Sequence, residues 1–209
     1  MSGARPPDDG CVIVTGAASG IGAAVVRSLI ARGRIAVALD VDETPLKQLA
    51  AQAGGKVHAF TADLTDARQV AATLHLNLTT AFLATKAALP ALIANDGGEI
   101  VNIGSIAAFR PSPVGGAAYA AAKAGLIAFT RQCAHELAEL ARHHIRVNAV
   151  CPGPTRTALT RNSARASSDF PPGRWIEPDD VAATVPHLLE PASGMCTGSV
   201  CTVDGGIGL

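Results

Sequence analysis

Cys11-Val12-Ile13-Val14-Thr15-Gly16-Ala17-Ala18-Ser19-Gly20-Ile21-Gly22 is the stretch on which the reading of the fold turns. Cys11 to Val14 is a short apolar run, as a strand buried on both faces requires. It ends in Thr15-Gly16. Apolar residues then recur at helical spacing from Ala23 to Arg32, and Gly33 stops them. Glycines between a strand and a helix remove Cβ atoms, so the turn can approach a pyrophosphate closely. The helix start adds free N–H groups and the positive end of a dipole. The spacing here is Gly-x-x-x-Gly-x-Gly. A glycine-rich turn alone can be merely structural; the flanking strand and helix favour a phosphate cradle.

The alternation continues outward. Ile35 to Leu39 reads as a second buried strand closed by Asp40, Pro45 to Ala53 as a helix stopped by Gly54-Gly55, and Val57 to Thr61 as a third strand. Strand, helix, strand, helix, strand predicts a parallel sheet with right-handed crossovers. From Asp66 to Ala94 there is no Gly, and Val70, Leu74, Leu78, Phe82 and Leu89 mark one long helix. Ile100–Ile103 reads as a strand, Gly116–Arg142 as a second long helix and Ile145–Val150 as a strand. Pro154 to Gly173 is polar and irregular, a loop or lid. Glu177–Glu190 reads as a helix and Ser199–Val203 as the last strand. With no repeat and no linker, the expectation is one α/β domain over residues 1–209, a doubly wound parallel sheet of about six strands.

Composition agrees. The chain has 209 residues, 48% hydrophobic and 16% charged, which excludes disorder. Aromatics are 3%, so the core must be aliphatic. Lys plus Arg and Asp plus Glu number 17 each, leaving no global field for nucleic acid or an anionic membrane. No uninterrupted apolar run is long enough to span a bilayer, which takes about 18 residues. The opening MSGARPPDDG does not read as a secretory signal. The five cysteines are scattered without a CxxC, as in a cytoplasmic chain with reduced, mostly buried thiols. No Cys or His spacing suits a metal, and the six histidines show no motif.

Asp40 lies 24 residues after Gly16, where a carboxylate can accept both ribose hydroxyls of NAD and repel the extra phosphate of NADP. It can equally be a strand-end turn residue. Asp63-Leu64 can reach an adenine ring, or Asp63 can cap the next helix. Tyr119 and Lys123 are four apart and share a helix face. A phenol loses its proton near pH 10, and a neighbouring ammonium lowers that value, which suits Tyr119 to acid–base work. Tyr119 is the only tyrosine. Ser105 stands just past strand Ile100–Ile103, where doubly wound sheets place their ligands, and its hydroxyl can donate to a substrate oxygen or merely cap the turn.

Together these residues resemble the short-chain dehydrogenase/reductase family. The matching strings are TGAASGIG (Thr15–Gly22), Asp40, Asp63-Leu64, Asn77 in LNLTTAF, VNIGS (Val101–Ser105), YAAAK (Tyr119–Lys123), RVNAVCPGPTRT (Arg146–Thr157) and VDGG (Val203–Gly206). They stand in family order over nearly the whole chain. The resemblance implies that Tyr119 is the general acid/base, that Lys123 activates it and holds the nicotinamide ribose, and that Ser105 positions the substrate carbonyl. Asn77 matches the residue that holds a water at the end of a proton relay. Gly16, Ser19, Gly20, Ile21, Gly22, Asp40, Val41, Asp63, Leu64, Pro152, Gly153, Thr155 and Thr157 match cofactor-binding positions. The implied chemistry is hydride transfer between NAD and a secondary alcohol or ketone, without a metal. The two long Ala-rich helices resemble the family's contacts in homodimers and homotetramers.

One departure stands out. The family places a strand and an Asn-Asn-Ala-Gly turn between the positions of Asp63 and Asn77, yet only 13 residues separate them here. A crossover between parallel strands needs about a dozen residues or more, so helix, strand and helix cannot fit. The chain is then a shortened product, a relative that binds NAD without turnover, or a protein that closed the gap by pairing Ile100–Ile103 directly with Cys11–Val14. The loop after Pro152, with Arg156, Arg161, Arg165 and Trp175, is also short and reads as a mobile cover.

Overall fold

The computed structural model describes residues 11–61, 69–112, 116–140, 144–160 and 165–207. Asp63, Leu64 and Arg161 lie outside them. Six strands alternate with helices in a Rossmann-like α/β arrangement. The chain divides into two compact units, Met1–Asp63 with Pro178–Pro186, and Leu64–Glu177 with His187–Leu209.

In the first unit, β1 (Cys11–Thr15), β2 (Ile35–Asp40) and β3 (Val57–Thr61) form a parallel sheet in the order β1-β2-β3. The register sets Cys11 beside Ile35 and Asp40 beside Thr61, so β1 and β2 start level and β2 and β3 end level. Helix α1 (Gly20–Ala31) buries Ala23, Ala24, Val25, Val26 and Leu29, and α2 (Glu43–Gln52) buries Leu46. Ala36 and Ala38 of β2 are fully buried; their small side chains let helices lie close to the sheet.

In the second unit, β4 (Gly97–Ile103), β5 (His144–Pro152) and β6 (Val200–Val203) form another parallel sheet, in that order. Every residue of β5 after His144 is buried, as befits a central strand. The expected pairing of Ile100–Ile103 with Cys11–Val14 does not form: the six strands make two three-stranded sheets.

The long helix expected before β4 is present. It runs as α3 (Gln69–Leu74), a π turn (His75–Thr79) and α4 (Thr80–Ala94), and Leu74 and Thr80 keep right-handed helical dihedrals on either side of the π turn. Ala71–Ala94 is apolar and long enough to cross a membrane by length and composition alone, although no single uninterrupted run in the sequence is. Little of it is buried, and Leu76, Phe82, Leu83 and Ile93 are exposed. Helix α5 (Gly116–Leu140) follows β4, and α6 (Pro178–Leu189) precedes β6. Of the stretch after Pro152, residues 161–164 lie outside the described residues. The rest holds short 3-10 turns at Ala158–Thr160 and Ser167–Asp169, and Phe170 is buried with its ring 5.0 Å from that of Trp175. One aromatic pair supplies the apolar anchor that the polar residues around it lack.

Candidate functional site

The glycine loop closes as its composition requires. Gly16 and Gly20 take φ of 66° and 52°, the left-handed region that side chains avoid. A Cβ on Gly22 would stand 2.0 Å from the Gly16 carbonyl oxygen, so no other residue fits there. Ser19 is the N-cap of α1, extended at φ −152°, with no hydrogen bond from its side chain to the helix start. Ala17 donates to the Leu39 carbonyl at 3.1 Å, tying the loop to β2. Asp40 completes the tie: one carboxylate oxygen accepts the Ala18 N–H at 2.8 Å and the other accepts the Asp42 N–H at 3.0 Å. A carboxylate has about four lone-pair sites, so Asp40 retains capacity to accept hydroxyls. Val41 beside it is exposed.

The second set of residues lies in the other unit, at the carboxyl end of β4. Lys123 Nζ donates to the Ile103 carbonyl at 2.8 Å and lies 5.7 Å from the centre of the Tyr119 ring. Ser105 follows Ile103 by two residues, so one strand end gathers Ser105 and Lys123, with Tyr119 one helical turn away. Ser105 caps a 3-10 turn (Ile106–Ala108), its Oγ accepting the Ala107 N–H at 3.1 Å. That geometry leaves the hydroxyl proton available to donate. Asn77 sits within the π turn and donates from Nδ2 to the Thr73 carbonyl at 3.0 Å. π turns concentrate at functional sites because they disturb the regular carbonyl ladder.

The turn after β5 is built from Pro152, Gly153, Thr155 and Thr157. Gly153 donates to Val203 at 3.0 Å, and Thr155 Oγ1 donates back to the Gly153 carbonyl at 3.0 Å. Thr157 N–H donates to Thr160 Oγ1, also at 3.0 Å.

Two supports of this site lie inside the quoted strings but were not singled out as site residues. Asn102 Nδ2 donates to Thr130 Oγ1 at 2.9 Å in the buried layer between β4 and α5. Thr130 Oγ1 in turn donates to Leu126 O at 2.8 Å. This pair fixes the rotation of α5 that aims Tyr119 and Lys123. Only the presence of Asn102 inside VNIGS hinted at it. The other is Cys151, fully buried beside Ser105 and Lys123. Burial pushes its thiol up to about 11 against the opposing pull of the Ser105 backbone N–H and of Lys123. The cysteines are all free, but Cys151 is the only buried one: Cys11 and Cys196 are exposed, and Cys133 and Cys201 are intermediate. The expectation of mostly buried thiols is therefore corrected. Cys11 opens β1, an outer strand of its three-stranded sheet, and Cys196 follows the turn at Gly194 and Met195. No cluster of three metal-ligating side chains occurs among the described residues.

Burial also lowers Lys123 from 10.5 to about 8. Between those pH values the unfolded chain holds more protons than the folded one, so this group makes stability rise with pH across that window. Cys151 acts in the opposite sense, keeping its proton up to about 11 when folded against 9.0 otherwise, so its contribution falls as pH rises between them. Lys123→Met should remove the first effect and leave the second. Denaturation midpoints compared across the Lys123 window should diverge, with the parent gaining on the variant as pH rises. Parallel curves would contradict a desolvated ammonium.

Residues 10–75 match the family described as short chain dehydrogenase, and residues 65–208 the one described as Enoyl-(Acyl carrier protein) reductase. The 3-oxoacyl-[acyl-carrier-protein] reductase of Mus musculus is 44% identical over 138 residues, 65% of this chain, which thereby spans 56% of that protein. The 2-(S)-hydroxypropyl-CoM dehydrogenase 3 of Xanthobacter autotrophicus is 30% identical, with 94% of this chain and 95% of the relative covered. That pairing runs over 247 positions, more than the 209 residues here, so the relative has segments without a counterpart. Among solved structures, an oxidoreductase of the short chain dehydrogenase/reductase family from Burkholderia thailandensis superimposes with a TM-score of 0.83 at 30% identity, covering 94% of this chain and 92% of that one.

Proposed function

Since the chain belongs to the short-chain dehydrogenase/reductase family, we propose that it is an oxidoreductase that moves hydride between NAD and a secondary alcohol or ketone. The observation that carries this reading is the Lys123 ammonium, held by the Ile103 carbonyl and set against the ring of Tyr119. Tyr119 gives its phenolic proton to the substrate oxygen during reduction and takes one during oxidation. Lys123, set beside the Tyr119 ring, holds the nicotinamide ribose. Ser105 donates to the same substrate oxygen and fixes its place. Asn77, in its π turn, holds the water from which Tyr119 is reprotonated. When bound, the nicotinamide supplies or accepts the hydride.

The residues present suit a dinucleotide. Gly16, Ser19, Gly20, Ile21 and Gly22 cradle the pyrophosphate, since the space a Cβ at 22 would need is already closed. Asp40 and Val41 take the adenosine ribose. Asp40 and the absence of any Lys or Arg from Gly16 to Gly22 favour NAD over NADP. Asp63 and Leu64 take the adenine, and Pro152, Gly153, Thr155 and Thr157 the nicotinamide side. The reading takes residues 1–209 as one cytoplasmic dinucleotide-binding domain. The names of the mouse and Xanthobacter relatives denote a ketone and a secondary alcohol, which supports the substrate class.

A second reading, an NAD-binding relative without turnover, is favoured by the shortening between Asp63 and Asn77. Calorimetric titration with NAD, followed by absorbance of reduced cofactor over a panel of secondary alcohols and 3-oxoacyl thioesters, separates the two. Binding with turnover supports the first; binding alone supports the second; no binding overturns both. The exposed Leu76, Phe82, Leu83 and Ile93 further support a homodimer or homotetramer in which α3 and α4 are covered. Sedimentation should show a species of at least twice 21.1 kDa, and a monomer alone would contradict this.

A further inference from the structure

The ends of β4, β5 and β6 lie side by side in one sheet, with β5 in the middle. Across the end of β5 runs an ion pair between residues far apart in sequence: Arg110 Nη2 and Asp204 Oδ2 are 3.0 Å apart. Both side chains are largely shielded, 28% and 16% exposed. Arg110 closes the segment that begins at Ser105 and turns through Ile106–Ala108. Asp204 follows β6 and is itself held. Its other oxygen accepts the Gly206 N–H at 3.0 Å. Its Cα and Cβ stand 3.0 Å from where a Cβ on Gly153 would be, so Gly153 and Asp204 are in close backbone contact.

We propose that Arg110 and Asp204 are positioning residues, a clasp that holds the Ser105–Arg110 segment against the Pro152–Gly153 turn and so sets the width of the substrate cleft in front of Ser105. This rests on the function proposed above. Asp204 is anchored by backbone contacts, whereas Arg110 reaches it only through its side chain. Loss of the pair therefore loosens the Phe109–Arg110 end of the segment, whose Ala107 and Ala108 stay packed against α5 and the core, and leaves the turn in place. The reacting groups Tyr119 and Lys123 are held separately, by α5 and the Ile103 carbonyl. The clasp thus governs how substrate is seated more than how its proton moves.

The test is a double-variant cycle with Arg110→Met, Asp204→Asn and the two combined. Asn at 204 keeps an oxygen for the Gly206 N–H and removes only the charge. Each single variant should raise KM by about five- to tenfold, the range of a partly shielded ion pair, with kcat within about twofold. The combined variant should be no worse than either alone, and Arg110→Lys should recover most of the loss. Amide hydrogen exchange over residues 105–110 is followed in the same proteins. It should quicken in both single variants, and it reads the clasp whether or not the chain turns over. Unchanged exchange overturns the clasp. Quickened exchange with unchanged KM overturns its role in seating substrate. Quickened exchange in a chain with no turnover at all leaves the clasp standing and counts against the proposed activity instead.

Discussion

Tyr119→Phe should lower turnover by about 10²- to 10⁴-fold, the usual contribution of a placed general acid or base. The substitution removes one hydroxyl and keeps the ring that lies 5.7 Å from the Lys123 ammonium. Packing, cofactor affinity and melting temperature should therefore stay close to those of the parent. The loss should appear in kcat and kcat/KM alike, because proton transfer is made only in the transition state. Initial rates with NAD and a reactive secondary alcohol, set beside a thermal melt of each protein, provide the measurement. A variant that keeps turnover within about threefold of the parent, well below the range for general acid–base catalysis, would remove Tyr119 from the chemistry.

Arg146→Met should destabilise the fold by about 3–5 kcal/mol, the scale for breaking a buried charge cluster from one side. Arg146 sits near the start of β5 with its side chain 9% exposed. Its guanidinium donates to the carbonyls of Leu188 at 2.9 Å, Ser193 at 3.0 Å and Cys196 at 3.1 Å. It also lies 3.4 Å from Glu99, which is as deeply placed. The Leu188 carbonyl belongs to the last turn of α6, where a cation opposes the negative end of the helix dipole. Methionine fills the same volume but removes all of these donors: the Leu188 carbonyl loses the guanidinium, and the Ser193 and Cys196 carbonyls keep only the Cys196 N–H and the Asn148 Nδ2. Denaturant unfolding should show the midpoint falling at unchanged slope. Arg146→Lys should recover little, because an ammonium cannot fork toward several carbonyls at once.

The helices and strands were legible because their signals are local. The apolar run at Cys11–Val14, the glycines at 16, 20 and 22, and the alternation through Thr61 each act within a few residues. Tyr119 and Lys123 share a face by helix period alone, and the structure sets them together. The long helix before β4 was legible as well, but its π turn at His75–Thr79 was not, since no side chain announces a single extra residue per turn. Nor did composition announce that Phe170 and Trp175 meet in the stretch after Pro152, since only the fold brings the two rings together.

Local spacing thus decided the elements, the glycine turn after β1 and the placing of Tyr119 beside Lys123, because covalent geometry and helix period act over a turn or two. Tertiary packing alone decided that the strands form two sheets, that Asn102 meets Thr130, that Arg146 binds three carbonyls and that Arg110 reaches Asp204. These partners stand 28 to 94 residues apart in the chain. Over such separations no period relates one residue to another, and what joins them is which surfaces the folded layers bring into contact.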